Sequence, residues 1–132
     1  MKNSIYILGV IVAVVVLSSC EGETRYNWYL DNQSSNPLNL GMLQSLTGDT
    51  IFGNIQSGER FLLEYSEDMG GSGTALSPLT EIPYMNVVNS LGDTLNKDYT
   101  DLNNWTYNIE KVKNTPAIWE QEYIFSVLDS DF

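Results

Sequence analysis

The chain has 132 residues, 42% of them hydrophobic, which is enough for one domain with a core but not for two. Seventeen acidic residues against six basic ones give a formal charge of −11, which argues against a nucleic-acid partner because phosphates require clustered Lys and Arg. The chain contains no histidine, so Ser–His and Cys–His catalysis and the usual His/Cys zinc sites are excluded.

The first twenty residues have the order of parts found in an exported precursor. Lys2 provides a positive start, residues 5–17 carry no charge, and Leu17-Ser18-Ser19-Cys20 follows directly. The uncharged run fits the core of a signal peptide and is shorter than the roughly 20 residues that span a bilayer. The alternative is an uncleaved N-terminal anchor in which Cys20 is an incidental thiol.

The segment that ends at Cys20 resembles the lipobox of bacterial lipoproteins. The resemblance implies that a diacylglycerol is attached to the Cys20 thiol, that residues 1–19 are removed, and that the new amino group is often acylated. Several acyl chains hold a protein at a membrane essentially permanently, since each buried methylene contributes about 0.8 kcal/mol. Residues 20–24 are then a lipidated tether and residues 25–132 a single domain. The mature chain keeps five basic and seventeen acidic residues, a side-chain charge of −12, so contact with the membrane is expected through the lipid alone.

Seven short stretches beyond the tether predict strands, because each has apolar residues in partial or clean alternation and lies between turn formers. In chain order they are residues 25–30, 38–43, 50–55, 60–65, 84–89, 105–110 and 122–128. Within the fourth stretch, Phe61, Leu63 and Tyr65 are expected to share one face. Residues 67–73 are expected to form a loop, because acids and glycines interrupt the alternation there.

Seven short strands without a helical period predict an all-β fold, an antiparallel β-sandwich of immunoglobulin-like size. A small β-barrel is the alternative. Cys20 is the only cysteine, so the fold contains no disulfide and depends on apolar packing to which aromatic side chains contribute much.

Gly-Asp-Thr occurs twice, at residues 48–50 and 92–94. The repeat predicts two similar turns in which Gly supplies a positive φ and Asp bonds to its own backbone. A duplicated half-domain is the alternative, although the flanking residues do not align.

Carboxylates are the remaining candidates for catalysis or metal binding, and none belongs to a recognised motif. So many acids on a small domain are more often a solvated surface, and we therefore predict no catalytic residue, no metal and no cofactor. Glycosidases use two facing acids, and calcium takes several oxygen ligands. Glu120 with Glu122, or Asp98 with Asp101, could serve a glycosidase. Asp98 with Asp101, or Asp129 with Asp131, could bind calcium.

The three tryptophans Trp28, Trp105 and Trp119 each lie in or beside a predicted strand, where packing in the core is the default. Trp119 is the candidate for stacking on a sugar ring, because it follows the break in structure that Pro116 predicts.

The whole chain resembles the small secreted lipoproteins of Bacteroidota. Besides the lipobox it has acids soon after the cysteine, Asn-rich turns, and a Tyr/Phe-rich last strand that ends in acids. In that group, acids just after the cysteine mark lipoproteins sent to the outer face of the outer membrane. Glu21 and Glu23 resemble such a signal but are separated by Gly22, so the resemblance implies the outer membrane and leaves its surface and periplasmic faces open. The resemblance also implies O-glycans at Thr50 and Thr94, since each follows Asp and precedes an apolar residue.

These features predict a membrane-anchored lipoprotein of the cell envelope whose domain is a non-enzymatic binding or structural module. The alternative is an accessory carbohydrate-binding lipoprotein. The expected partners are the membrane, through the lipid on Cys20, and a glycan or an envelope protein. An exposed row of aromatic side chains would favour carbohydrate binding, whereas buried tryptophans and a featureless surface would favour the structural module.

Overall fold

The structure is a computed structural model in which residues 22–45, 47–70, 73–77 and 81–132 are described. The predicted signal peptide, residues 1–19, and the predicted lipidation site Cys20 lie outside these ranges. Within them, no helix is long and apolar enough to cross a membrane.

Strands form most of the described chain, and the predicted all-β class is confirmed. The second, third and fifth strands have the predicted bounds. Two short 3-10 turns lie at Leu102–Asn104 and Asp129–Asp131. The strands are β1 (Glu23–Asn32), β2 (Leu38–Leu43), β3 (Thr50–Ile55), β4 (Arg60–Met69), β5 (Tyr84–Asn89), β6 (Thr106–Asn114) and β7 (Ala117–Val127).

The strands form two sheets of a sandwich. The four-stranded sheet has the order β4-β1-β7-β6, and the three-stranded sheet has the order β3-β2-β5. The described strand pairs are antiparallel except for β1 with β7, which run parallel in the middle of the larger sheet. The sandwich has the size and layers of an immunoglobulin domain, but its strand order differs. Here β1 and β2 lie in different sheets, whereas the first two strands of an antibody constant domain are neighbours.

Alternate side chains of both sheets meet in one core, as expected for sheets that pack face to face. Trp28 of β1 stacks on Tyr123 of β7 with ring centroids 3.8 Å apart, and Trp28 also meets Trp105 edge-on at 5.5 Å. Trp28 and Trp105 are therefore core residues, which is the default for tryptophans in or beside strands. The three-stranded sheet contributes Leu38, Leu40, Met42, Ile55, Met85 and Val87.

Four strands are longer than the sequence predicts. Most of the added residues lie at one end of the four-stranded sheet, and β1 also continues to Asn32 at the other end. β1 begins at Glu23, β4 continues to Met69, β6 continues to Asn114 and β7 begins at Ala117. The prediction of a loop is wrong for residues 67–69, because Met69 pairs with Glu23 and the ladder to β1 outweighs the low strand propensity of acidic residues.

A β-bulge changes which side chains of β4 face the core. The register between β1 and β4 shifts beside Leu63, which has no direct partner on β1. Leu63 and Glu64 are both buried as a result, and Tyr65 is exposed. The prediction that Tyr65 shares a face with Phe61 and Leu63 is therefore wrong, because one extra residue reverses the inward and outward alternation beyond it.

Candidate functional site

The tether between the predicted lipid and the domain is shorter than residues 20–24. Thr24 is fully buried, and its hydroxyl donates a hydrogen bond of 2.8 Å to the carbonyl oxygen of Gly70. The amide of Gly70 in turn donates to the carbonyl oxygen of Gly22 over 2.6 Å. Glu23 and Thr24 therefore belong to the sheet, whose first strand begins two residues before the predicted domain start at residue 25. Three residue steps separate Cys20 from Glu23, which limits their Cα atoms to a distance of about 10 Å.

Both predicted glycosylation sites lie on the solvent side of the three-stranded sheet. Thr50 is the first residue of β3, and it pairs with Leu43 of β2. Thr94 forms an isolated bridge with Val88 of β5, so it adds to the far edge of the same sheet. Both threonines are exposed. Their positions satisfy the requirement that a transferase reach the hydroxyl, and the modification itself stays a prediction.

In the two Gly-Asp-Thr turns the glycines have the expected conformation. The side chain that accepts a hydrogen bond from the turn backbone is not the predicted Asp. Gly48 has a φ of 71° and Gly92 a φ of 94°, the left-handed region that glycine adopts without strain. The amide of Asp49 donates to the hydroxyl of Thr47, and the amide of Asp93 donates to the side-chain oxygen of Asn89. The prediction that each Asp bonds to its own backbone is therefore corrected, because a residue earlier in each turn already supplies the acceptor.

Trp119, the predicted sugar-stacking residue, is half-buried at the end of the sheet from which the strands extend. Its ring packs against the backbone of Gly73, where an added Cβ would lie 3.2 Å from the ring. Lys111 places its Nζ 5.8 Å from the ring centroid in a cation–π contact. Part of the indole surface is thus already occupied by this chain, which reduces the area left for a sugar ring. The role of Trp119 in ligand binding stays a prediction.

The predicted acid pairs mainly stabilise turns. The hydrogen bonds from Thr100 hold the pKa of Asp98 below its usual range, since they favour the charged carboxylate. Within the described residues, no group of three or more potential ligand side chains is arranged to hold a metal ion. Glu120, by contrast, lies 3.8 Å from Arg25 on the outer face of the large sheet. The turn acceptors are Asp98 for Thr100, Asp101 for Asn103, Asp129 for Ser35 and Asp131 for Leu128.

Two buried carboxyl groups are absent from the sequence-based candidates. Glu64 is only 6% exposed, and its Oε2 has no hydrogen-bond partner in the described structure. Burial raises the pKa of Glu64. Burial also raises the pKa of Glu81, with further contributions from the charges of Glu64 and Asp68. No signal in the sequence marks Glu64, because its inward position depends on the bulge in β4.

The solvent face of the three-stranded sheet is uncharged, which is unusual in so acidic a chain. Its nine strand positions alternate with the inward-facing positions of β2, β3 and β5. Phe52 is 81% exposed and Tyr84 is 55% exposed, although both are large aromatic side chains. Asp49 and Asp93 precede Thr50 and Thr94 at the margins of the face. We call this surface the neutral face, and define it by Asn39, Gly41, Leu43, Thr50, Phe52, Asn54, Tyr84, Asn86 and Val88.

The neutral face has a defined local geometry. Phe52 pairs with Gly41 across β3 and β2, and its ring lies over the glycine, where an added Cβ would be 3.6 Å from the ring. In the neighbouring row, Asn54 Nδ2 donates a hydrogen bond of 2.9 Å to Asn39 Oδ1. Asn86 lies beside Gly41 on the other side. The face therefore presents aromatic rings next to side-chain amides on one sheet.

Sequence reasoning missed this face because its residues come from three separate strands. The only signal in the sequence is that alternate positions of residues 38–43, 50–55 and 84–89 lack charge. These positions can be placed on one surface only when the register of the three strands is known.

In comparisons with protein-family models and with curated proteins, no match to this chain is found. Its function is therefore inferred from its own residues.

Proposed function

We propose that this chain is a membrane-anchored lipoprotein of the bacterial cell envelope whose domain is a non-enzymatic binding or structural module. The observation that carries the proposal is the position of the first strand. β1 begins at Glu23, three residues after the lipobox cysteine. A lipid on Cys20 would hold the sandwich directly at the bilayer, because so short a connection spans only about 10 Å.

The chemistry of the described residues supports a binding or structural role. The chain has no histidine to accept a proton from a nucleophile, and its one cysteine would be a thioether after lipidation. Asp98, Asp101 and Asp131 accept hydrogen bonds from backbone amides of their own turns, and Asp129 accepts one from the amide of Ser35. Their carboxylates are thereby engaged in holding loops.

The proposed location is the outer membrane, with the surface and periplasmic faces both open. The acids after the cysteine support this location, although Gly22 separates Glu21 from Glu23. Glu23 is also ion-paired with Arg25 within β1, so only part of the acidic segment precedes the folded domain.

Replacement of the acceptor thiol tests the anchor. In a bacterial host that processes lipoproteins, radiolabelled palmitate should be incorporated into the full-length protein and lost in Cys20→Ser, because the thiol is the attachment site. Ser19→Ala is the matched control, since it keeps a small residue before the cysteine and should label normally. Label on Cys20→Ser, or no label on the unchanged protein, would contradict the proposal.

An accessory carbohydrate-binding lipoprotein is the second candidate, and the neutral face favours it. Exposed Phe52 and Tyr84 form part of an aromatic surface, and the neighbouring asparagines can bond to hydroxyl groups. Burial of Trp28 and Trp105 favours the structural module over a tryptophan-lined sugar site. The two candidates therefore differ in whether the neutral face has a ligand.

A further inference from the structure

We propose that the neutral face binds an uncharged polysaccharide chain. This inference rests on the proposed binding function and adds to it the site and the class of ligand. It moves the expected sugar contact from Trp119, whose ring is partly covered by Gly73 and Lys111, to Phe52 and Tyr84 on the other sheet.

Charge is the first argument. The mature chain has a side-chain charge of −12, and the outer face of the four-stranded sheet includes Glu23, Arg25, Glu67 and Glu120. The nine strand positions of the neutral face have no charge at all. A surface kept free of charge in an acidic protein suits an uncharged ligand, because neither partner loses the hydration of an ion on binding.

Exposed aromatic area is the second argument. Phe52 is 81% exposed because its ring lies on the sheet over Gly41 instead of in the core. The C–H face of a sugar ring can stack on such a ring, and the absence of a side chain at Gly41 keeps the platform flat. Tyr84 lies two strands away and one side-chain row along, which places the two Cα atoms about 12 Å apart. This separation suits contact with more than one ring of a chain.

Hydrogen-bonding capacity is the third argument. Each asparagine amide has two donor hydrogens and two acceptor lone pairs, so the bond between Asn54 and Asn39 uses only part of the capacity of the pair. Asn86 adds a third amide in the central part of the face. A sugar hydroxyl both donates and accepts, and amides can satisfy both functions.

Native affinity electrophoresis tests the inference with the mature lipidated protein in detergent. Separate gels contain amylopectin, galactomannan or arabinoxylan as neutral probes and polygalacturonate as the anionic control. At least one neutral polysaccharide should retard the protein, and polygalacturonate should not. Phe52→Ala and Tyr84→Ala should each raise the dissociation constant obtained from the retardation roughly tenfold, since each removes one stacking contact.

Tyr65→Ala is the matched control, because Tyr65 is an exposed tyrosine on the outer face of the other sheet and is 42% exposed. The dissociation constant obtained for the Tyr65→Ala variant should stay within about twofold of that of the unchanged protein. Thermal unfolding of each variant shows whether the fold is retained. No retardation by any neutral probe, an equal loss in Tyr65→Ala, or retardation by polygalacturonate would overturn the inference.

Two further outcomes separate this inference from the other proposals. A dimer in sedimentation that Phe52→Ala dissociates would show that the face binds a second copy of the chain, and would overturn the inference. Palmitate labelling without polysaccharide binding would overturn the inference and leave the anchor intact. Polysaccharide binding without palmitate labelling would overturn the anchor alone.

Discussion

The indole of Trp28 lies parallel to the phenol ring of Tyr123, with 3.8 Å between ring centroids and 15° between ring planes. The two residues are direct neighbours in the parallel β1–β7 pair. The Tyr123 hydroxyl donates to Gln121 and accepts a 2.8 Å hydrogen bond from the amide of Leu76. This one side chain therefore joins the central strand pair of the large sheet to the segment between β4 and β5.

Replacing Tyr123 by Phe should keep the ring stack and lose the hydroxyl bonds. We expect the free energy of unfolding to fall by about 1–3 kcal/mol, because the Leu76 amide is left without its partner. Urea unfolding followed by tryptophan fluorescence measures the change. Tyr107→Phe is the control, since Tyr107 is half-exposed, and it should change stability by less than about 0.5 kcal/mol. Equal stability of the Tyr123→Phe variant and the unchanged protein would show that the hydroxyl bonds contribute nothing.

The buried carboxyl group of Glu64 should make stability depend on pH. Its pKa is raised by burial, so the folded protein holds the proton more tightly than the unfolded chain does. The free energy of unfolding should therefore decrease as pH rises from the pKa of Glu64 in the unfolded chain through its pKa in the folded protein. Above the folded pKa, the full cost of burying the charged carboxylate should be present.

Glu64→Gln should remove this cost. At neutral pH the free energy of unfolding of the variant should be higher than that of the unchanged protein, and the gain should shrink as pH falls and Glu64 of the unchanged protein takes up its proton. Urea unfolding at several pH values gives the difference. Glu110→Gln, an exposed acid on β6, should show no such trend. A gain that stays constant with pH would mean that the charge of Glu64 is not the cause.

The start of β1 predicts how far the chain can be shortened. A polypeptide from Gly22 to Phe132 retains the Gly22–Gly70 bond and buried Thr24. One that begins at Arg25 should be less stable by about 1–3 kcal/mol, because it loses these bonds and the first two paired positions of the β1–β4 ladder. Both should give a β-type far-ultraviolet spectrum that reductant does not change. Equal urea midpoints would instead support a tether that ends at residue 24.

Glycosylation of Thr50 and Thr94 would place glycans at the margins of the neutral face. Both hydroxyl-bearing residues are exposed. We expect protein from the native host to exceed the mass of lipid plus polypeptide, with the excess reduced in Thr50→Ala and in Thr94→Ala. Intact-mass spectrometry decides the matter, and Thr100→Ala on another loop is the control. A mass equal to lipid plus polypeptide would contradict the prediction.

The sequence was sufficient for the class of fold and for most strand positions. Alternation and turn formers placed β2, β3 and β5 with the observed bounds, because these strands have one inward and one solvent face and lie between stretches rich in turn-forming residues. It failed where pairing partners decide the outcome. The acidic residues 67–69 have low strand propensity and are held in β4 by β1.

The candidate sites divide in the same way. By itself the sequence determined the absence of histidine and predicted the core roles of Trp28 and Trp105, since these depend on residue identity or local spacing, and the lipobox at Cys20 stays a prediction from the sequence. Only the tertiary structure decided that Glu64 is buried, because a single bulge reverses the alternation of β4. Only the register of three strands assembled Phe52, Gly41 and Asn86 into one row of a surface, because neighbours across a sheet are distant along the chain.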